Sequence, residues 1–587
     1  MRTILAAVSV TVLWMSSNTT LAAGGQPRVE LGERLDCGVI ARPMGEGKVY
    51  IGWRLLRSDA EGAAFNVVRR VEDGQPVRLN EQPIRRTTDF VDNAVPKGKR
   101  CVWSVVPITA EGEGTAADSP RLDPGTPARQ YVSIKLQGDY TFQKVGIADL
   151  DGDARYDFVI KQPNANIDPY EKYWKPSPDT YKLEAYRSNG EFLWRYDLGW
   201  SIERGIWYSP YVVYDLDGDG KAEVALKTGE GDPRDEDGRV QTGPEHLTIL
   251  DGLTGKPITQ IAWPPRELFK DTHRPYNYAS RNQLGIAYLD GETPHLIVER
   301  GTYNVIVVIA YGLRDGKLDE VWRWDNRTLG REYQGQGSHW MHAADVDADG
   351  KQEVVIGSAV IDHDGTALWT TGLGHPDHCY VGDIDPARPG LEIYYGMETR
   401  QKERDGMCLV DAATGRILWG HEGFTRHVHG RGLCSDIDGR HPGWECYSAD
   451  TDERKHFAWS RLRTCKGEVI SEENLGGFGP LAAYWDADLQ REIVDRGSVF
   501  DYRGPTLLEP IEGKAVVAVA DVLGDWREEL IVTDPGELRI YTTATPAEDR
   551  RVCLMQDPIY RTDVAHAAMG YWKVPMLSYD PASPKDR

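Results

Sequence analysis

Beyond residue 23 this chain of 587 residues has no apolar run approaching the length that crosses a bilayer, so no helical membrane span is expected in its mature part. Positive charge is scarce: 68 Lys and Arg stand against 91 Asp and Glu, a formal net charge of −23. Nucleic acid is therefore excluded as a partner, because phosphate binding needs concentrated Lys and Arg. An acidic surface also repels a polyuronate, so an anionic ligand would have to meet a local positive site or bound cations. The eight cysteines form no CxxC pair, which argues against zinc-ribbon chemistry. In an oxidising compartment Cys37 with Cys101, and Cys434 with Cys446, are the expected pairings. Acidic residues are too numerous for any one hydrolase-type carboxylate pair to stand out.

What is present begins with an export signal. Arg2 supplies the positive end of residues 2–23, Ile4 to Met15 is largely apolar, and Leu21-Ala22-Ala23-Gly24 offers small residues for cleavage, giving a signal peptide at 1–23. A secreted or periplasmic protein is the expectation, acting as a monomer. Residues 28–130 read as a small β-sandwich of fibronectin-like type. Its strands include Val49 to Trp53, Ala64 to Val68 and Val102 to Val106, and a Pro/Gly/Thr-rich boundary runs from Ser119 to Pro127.

From about residue 140 to 587 one unit recurs: an acidic loop with alternate aspartates, a strand, then a hairpin. The full loops are Asp149-Leu150-Asp151-Gly152-Asp153, Asp215-Leu216-Asp217-Gly218-Asp219 and Asp345-Val346-Asp347-Ala348-Asp349; weaker copies begin at Asp383, Asp436, Asp486 and Asp521, and Asp290-Gly291 is a degenerate one. Such units cannot bury both sheet faces alone and must stack. The count of about eight predicts an all-β, eight-bladed β-propeller, with seven blades as the alternative, and a long insertion near Ile261 to Gln283.

Calcium takes six to eight oxygen ligands, and these loops supply them in quick succession. Asp215, Asp217, Asp219, the carbonyl of Lys221 and Glu223 make one set. Asp149, Asp151, Asp153 and Asp157 make another, and Asp345, Asp347, Asp349 and Glu353 a third. Asp383, Asp385 and Glu392, then Asp436, Asp438 and Glu445, then Asp486, Asp488 and Glu492 are thinner versions. Strands, not helices, follow the loops, so several Ca2+ ions are expected to knit the blades without taking part in chemistry.

Val213 to Thr228, Gln334 to His339, Asp362 to Thr366, Gly372-Leu373-Gly374-His375, Val381 to Asp385, Gly430-Arg431-Gly432-Leu433 and Asp557 to Arg561 together resemble rhamnogalacturonan lyases of polysaccharide lyase family eleven. The likeness extends over roughly residues 29–580. It implies an eight-bladed propeller, bound calcium and β-elimination between rhamnose and galacturonate in an acidic polysaccharide. Three departures stand out: an insertion at Asn164 to Tyr181, Met397-Glu398-Thr399 in place of His-Glu, and His427-Val428-His429 before Gly430. By the same resemblance His339, His375, Asp377 and Glu398 form a functional metal centre. Its mixed nitrogen and oxygen donors would also suit Mn2+ or Zn2+.

For the general base, Lys227 and Arg431 lead over Tyr208 and His429. A lysine titrates readily when desolvated, whereas an arginine base must fall from a free value above about 12. Tyr170, Trp174, Tyr208, Trp340 and His429 are the candidate substrate contacts, with Trp207 a further ring for sugar stacking. Two other readings stay open here: an integrin-like calcium-binding propeller that binds glycan or protein without catalysis, and a glycoside hydrolase.

Overall fold

The computed structural model describes residues 29–583 apart from 60–61, 110–111, 431, 477–479 and 572. The expected signal peptide lies outside the described residues. Nearly all regular structure is antiparallel β. Two sheets are built from the first part of the chain: one pairs Ile40–Gly45, Lys48–Gly52 and Asp89–Asp92, the other is centred on Ala64–Val71 and Cys101–Thr109. Trp53, Phe65, Val67, Trp103 and Val105 are buried together in one cluster.

Eight four-stranded sheets follow among the described residues, seven of them meandering through four consecutive strands and the eighth through three. In chain order their first strands are Lys144–Ala148, Tyr211–Tyr214, Asn282–Ala287, Gly337–Ala344, Pro376–Gly382, Leu433–Ser435, Leu481–Ala483 and Ala515–Ala520. The eighth sheet takes its outer strand from far upstream: Tyr131–Lys135 pairs with Glu537–Tyr541. The repeat therefore starts at Tyr131 rather than near residue 140, because this strand belongs to the last sheet. Ala515–Ala520 also packs on Lys144–Ala148 of the first sheet.

One contact recurs between neighbouring sheets and explains many of the tryptophans. Trp194, Trp322, Trp369 and Trp419 lie on the outer strands of sheets 1, 3, 4 and 5, and each indole N–H donates to a turn carbonyl of the next sheet. The acceptors are Gly252 at 2.7 Å, His363 at 2.9 Å, Ala412 at 2.9 Å and Cys465 at 2.8 Å. Each ring covers a turn glycine with positive φ: Gly255, Gly365, Gly415 and Gly467. A Cβ on any of them would come within 2.8 Å of the indole.

The helix Pro558–His566 is capped by Asp557, whose carboxylate accepts from the amides of Ile559 and Tyr560. It packs against the first strands of sheets 1, 2, 3, 4 and 8. There His342 Nδ1 and Lys573 Nζ both meet Asp563 Oδ1, at 2.8 Å each, in full burial. None of the cysteines is disulfide-bonded. Cys434 and Cys446 face each other in the ladder with their sulfurs 3.8 Å apart, as two thiols.

Candidate active site

Two slips of strand register turn polar side chains out of the sheets and toward one another. On Gly337–Ala344 the regular pairing breaks between Gly337 and His342. On Pro376–Gly382 it skips between Pro376 and His378, leaving Asp377 as an extra residue. Bulges re-aim side chains in this manner. His339 lies in the first slip and Asp377 in the second, while His375 precedes the second strand and Glu398 follows Glu392–Met397.

Ligating atoms of His339, His375, Asp377 and Glu398 all fall within 4.8 Å of one another. His375 Nε2 stands 3.3 Å from His339 Nε2 and 3.1 Å from Glu398 Oε2. Since the Gly337 carbonyl can only accept, His375 Nδ1 donates to it, which leaves the lone pair on Nε2 facing the other ligands. Burial, reinforced by His375, lowers the His339 pKa well below the usual imidazole value. Burial pushes the Glu398 pKa up, but the neighbouring His375 and His427 together outweigh it and bring it down to about 2. Two imidazole nitrogens and two carboxylates are a donor set that fits a divalent cation. The orphaned atoms agree: buried Asp377 Oδ1 and His339 Nδ1 have no hydrogen-bond partner.

A cavity of about 290 Å³ opens over this cluster. Tyr170, Tyr173, Tyr278, Tyr303 and Tyr571 line it, as do Arg281, His429 and Lys455. Tyr303 lies 4.9 Å from the His375 ring centre, and Tyr571 and Trp207 lie 5.1 and 4.6 Å from that of His339. The short helix Pro275–Ala279 divides this cavity from a second one of about 230 Å³: Asn277 and Tyr278 face the first, Tyr276 and Ala279 the second. In the second cavity Lys227, Arg266 and Arg300 converge on Glu245 at 2.7, 2.7 and 2.6 Å. Burial lowers the Lys227 pKa.

The acidic loops share one device. In seven of them the closing acid (Asp157, Glu223, Glu353, Glu392, Glu445, Glu492 or Glu529) accepts a hydrogen bond from a backbone amide at the head of its own loop. Asp149, Asp151 and Asp157 converge, as do Asp215, Asp217 and Glu223, while Asp349 and Glu353 gather with His363. In the thinner loops protein cations stand against the acids instead: Lys466 on Asp385 at 2.5 Å, Arg440 on Asp438 at 2.6 Å.

Two family models cover the described chain. "Rhamnogalacturonan I lyases beta-sheet domain" matches residues 30–120, and "Rhamnogalacturonan lyase family 11, C-terminal domain" matches residues 125–581. The chain belongs to rhamnogalacturonan lyase family 11. Within the family it is 35% identical to the rhamnogalacturonan endolyase YesW of Bacillus subtilis, over 98% of this chain and 95% of that one. It is also 35% identical to the rhamnogalacturonan exolyase YesX of the same organism, over 94% and 96%. The crystal structure of YesX superposes with a TM-score of 0.85 at 33% identity, covering 96% of this chain and 99% of that one. A Bacillus licheniformis rhamnogalacturonan lyase gives 0.84 at 33% identity, covering 95% and 97%.

Seen in this family member, the residues expected to act together do not all meet. Tyr170 and His429 line the histidine cavity, whereas Lys227 and Tyr208 line the other. Lys227 is engaged with Glu245 and is not among the residues that line the histidine cavity. Arg431 lies outside the described residues. Trp174 donates its indole N–H to Glu203 at 2.9 Å and lies under Arg239, so its ring is already covered. Trp340 is buried in the main hydrophobic cluster, edge-on to Tyr380, because it points to the other side of the strand from His339. Sequence reasoning missed Arg281, Tyr303 and Tyr571. Arg281 and Tyr303 fall in or beside stretches without a loop motif, and Tyr571 follows the last helix.

Proposed function

We propose that the chain cleaves the backbone of rhamnogalacturonan by metal-assisted β-elimination in the histidine cavity. The observation that carries this reading is the convergence of His339, His375, Asp377 and Glu398 beneath a tyrosine-lined cavity, in a chain of this lyase family. Elimination from a uronate requires its carboxylate to be neutralised, the C5 proton removed and the 4-linked oxygen released. A divalent cation held by the quartet would supply Lewis acidity toward that carboxylate. The chain's own groups shape the pocket around it. Tyrosine rings offer faces and hydroxyls to sugar rings, and the insertion bearing Asp168, Tyr170 and Tyr173 walls one side, which would stop a long chain there and favour short products. Lys455 brings an amine to the same cavity.

The architecture we read as an eight-bladed β-propeller preceded by a β-sandwich at residues 28–130. Support comes from the eight four-stranded sheets and from the pairing of Tyr131–Lys135 with the last of them, which leaves only short edges. The sets Asp149, Asp151 and Asp157, and Asp215, Asp217 and Glu223, suit calcium because all their donors are carboxylate oxygens, and at the third loop buried Glu353 Oε1 has no hydrogen-bond partner. We read residues 1–23 as an export signal, which would carry the enzyme out of the cytoplasm to where a pectic glycan is met.

Incubation with pectic rhamnogalacturonan should produce the ultraviolet absorbance of an unsaturated uronate. New reducing ends without that absorbance would make the protein a hydrolase, and neither change would leave it a binding module.

A further inference from the structure

Next to the quartet lies a second cluster that shares one of its members. Ligating atoms of Asp377, His427 and His429 also fall within 4.8 Å of one another. The His427 and His429 ring centres are 4.7 Å apart, and His427 Nε2 is 3.4 Å from Glu398 Oε1. Asp377 uses Oδ2 to accept from His429 Nδ1 and from the amide of Gly430. Its other oxygen, on a side chain 1% exposed, has no hydrogen-bond partner, and His427 Nε2 is buried without one.

The segment is held in place by its backbone. The amides of Arg426 and His427 donate to the two oxygens of Asp450, at 2.9 and 2.8 Å. The Val428 amide donates to the Met397 carbonyl at 3.1 Å, and Thr451 Oγ1 donates to the His427 carbonyl at 3.0 Å. Both imidazoles are thus presented by a fixed strand-to-strand connection toward the carboxylates of the first cluster.

We propose that His427 and His429, with Asp377 as the shared carboxylate, form a second divalent-cation position beside the first, and that the pair selects a zinc-like first-row metal over calcium. This rests on the reading of the quartet as a metal position. The reason is the donor count: four imidazoles and two carboxylates surround the combined site, whereas calcium favours six to eight oxygens and imidazole suits zinc and its neighbours. Asp377 belongs to both clusters and keeps one oxygen, Oδ1, without a hydrogen-bond partner, so it is the carboxylate the two positions would share.

Cobalt(II) is the probe. The full chain is stripped with chelator, refilled with calcium so that the acidic loops are occupied, and titrated with cobalt. Bound metal is counted after equilibrium dialysis, and the visible d–d absorption reports imidazole ligation. The wild type should take two cobalt ions. His427→Gln and His429→Gln should each take one, as should His339→Gln, with thermal melting in calcium verifying each fold. An equal count in the wild type and His427→Gln would overturn the proposal, since the two histidines would then only stand beside Asp377 and Glu398 as neighbours of the first position. If a variant fails to fold, the wild-type count decides: one ion or none overturns it. The functional reading stands or falls separately. Two cobalt ions without unsaturated product would sink the lyase reading and support the second position; unsaturated product with one ion would do the reverse.

Discussion

Arg281 holds Asp168 through two hydrogen bonds, of 3.1 and 2.8 Å, and so ties the insertion after the first acidic loop to the helix that separates the two cavities. The same guanidinium donates to Asn277 and lies 5.3 Å from the Trp207 ring centre. Asp168→Ala would leave a buried cation without its partner, a change that typically costs about 3 kcal/mol. Urea unfolding should register that loss, and KM for the polysaccharide should rise because the cavity wall is released. A stability change under about 0.5 kcal/mol, the range of ordinary surface substitutions, would mean that the pair anchors nothing.

Structure and catalysis should separate between the two kinds of metal cluster. Asp217→Ala ought to lower the melting temperature and leave turnover of the surviving folded enzyme near normal. His339→Ala ought to abolish turnover with little change in melting. Chelation should destabilise the wild type, since an ion at 100 times its Kd contributes about 2.7 kcal/mol to the folded state. An unchanged melting curve after thorough chelation would remove calcium from the fold.

The tryptophan-covered turns give a local test. Gly365 has φ +85°, and an added Cβ would lie 2.6 Å from the Trp322 ring. Gly365→Ala therefore combines backbone strain with a clash and should cost roughly 2–4 kcal/mol. Gly218, with φ +77° but open space around its Cα, serves as the control and should pay the backbone part alone. Equal losses at the two sites would show that the indole packing is soft.

Lys161 supplies the pH dependence. It is fully buried, donates to the Ser209 carbonyl and Oγ at 3.0 Å each, and burial lowers its pKa from 10.5 to about 7. Between those values the unfolded chain binds a proton that the folded chain does not, so this group makes stability rise with pH across the window. Below about pH 7 both states carry the proton and the full penalty of burying the charge remains. Lys161→Met should thus be more stable than the wild type at pH 7, with the gap narrowing toward pH 10. Paired denaturant titrations at the two pH values measure it, and a constant gap would contradict the assignment.

The sequence made the acidic loops legible because their ligands lie within a few residues of one another, so spacing alone carries the chemistry. It also placed His339, His375, Asp377 and Glu398 together through family motifs. Local reasoning failed where burial decides. Trp340 neighbours His339 in sequence yet points to the opposite side of its strand, into the core. Lys227 sits in the strongest motif but is committed to Glu245, on the next strand of its own sheet. Arg281 and Tyr571 reach the cavity through chain packing that no short window contains. The thinner loops show the same limit from the other side, since Lys466 comes from a different sheet to meet Asp385.

Tyr131–Lys135 has consequences for the order in which the molecule can be made. A ribosome releases this strand before any of the eight sheets exists, and its partner, Glu537–Tyr541, only after seven of them. Throughout that interval its backbone amides and carbonyls have no ladder, which is the state in which strands pair with wrong neighbours. Long-range pairing of this kind is also slow to form. Synthesis arrested before Glu537 would leave seven complete sheets and Tyr131–Lys135 without its partner strand.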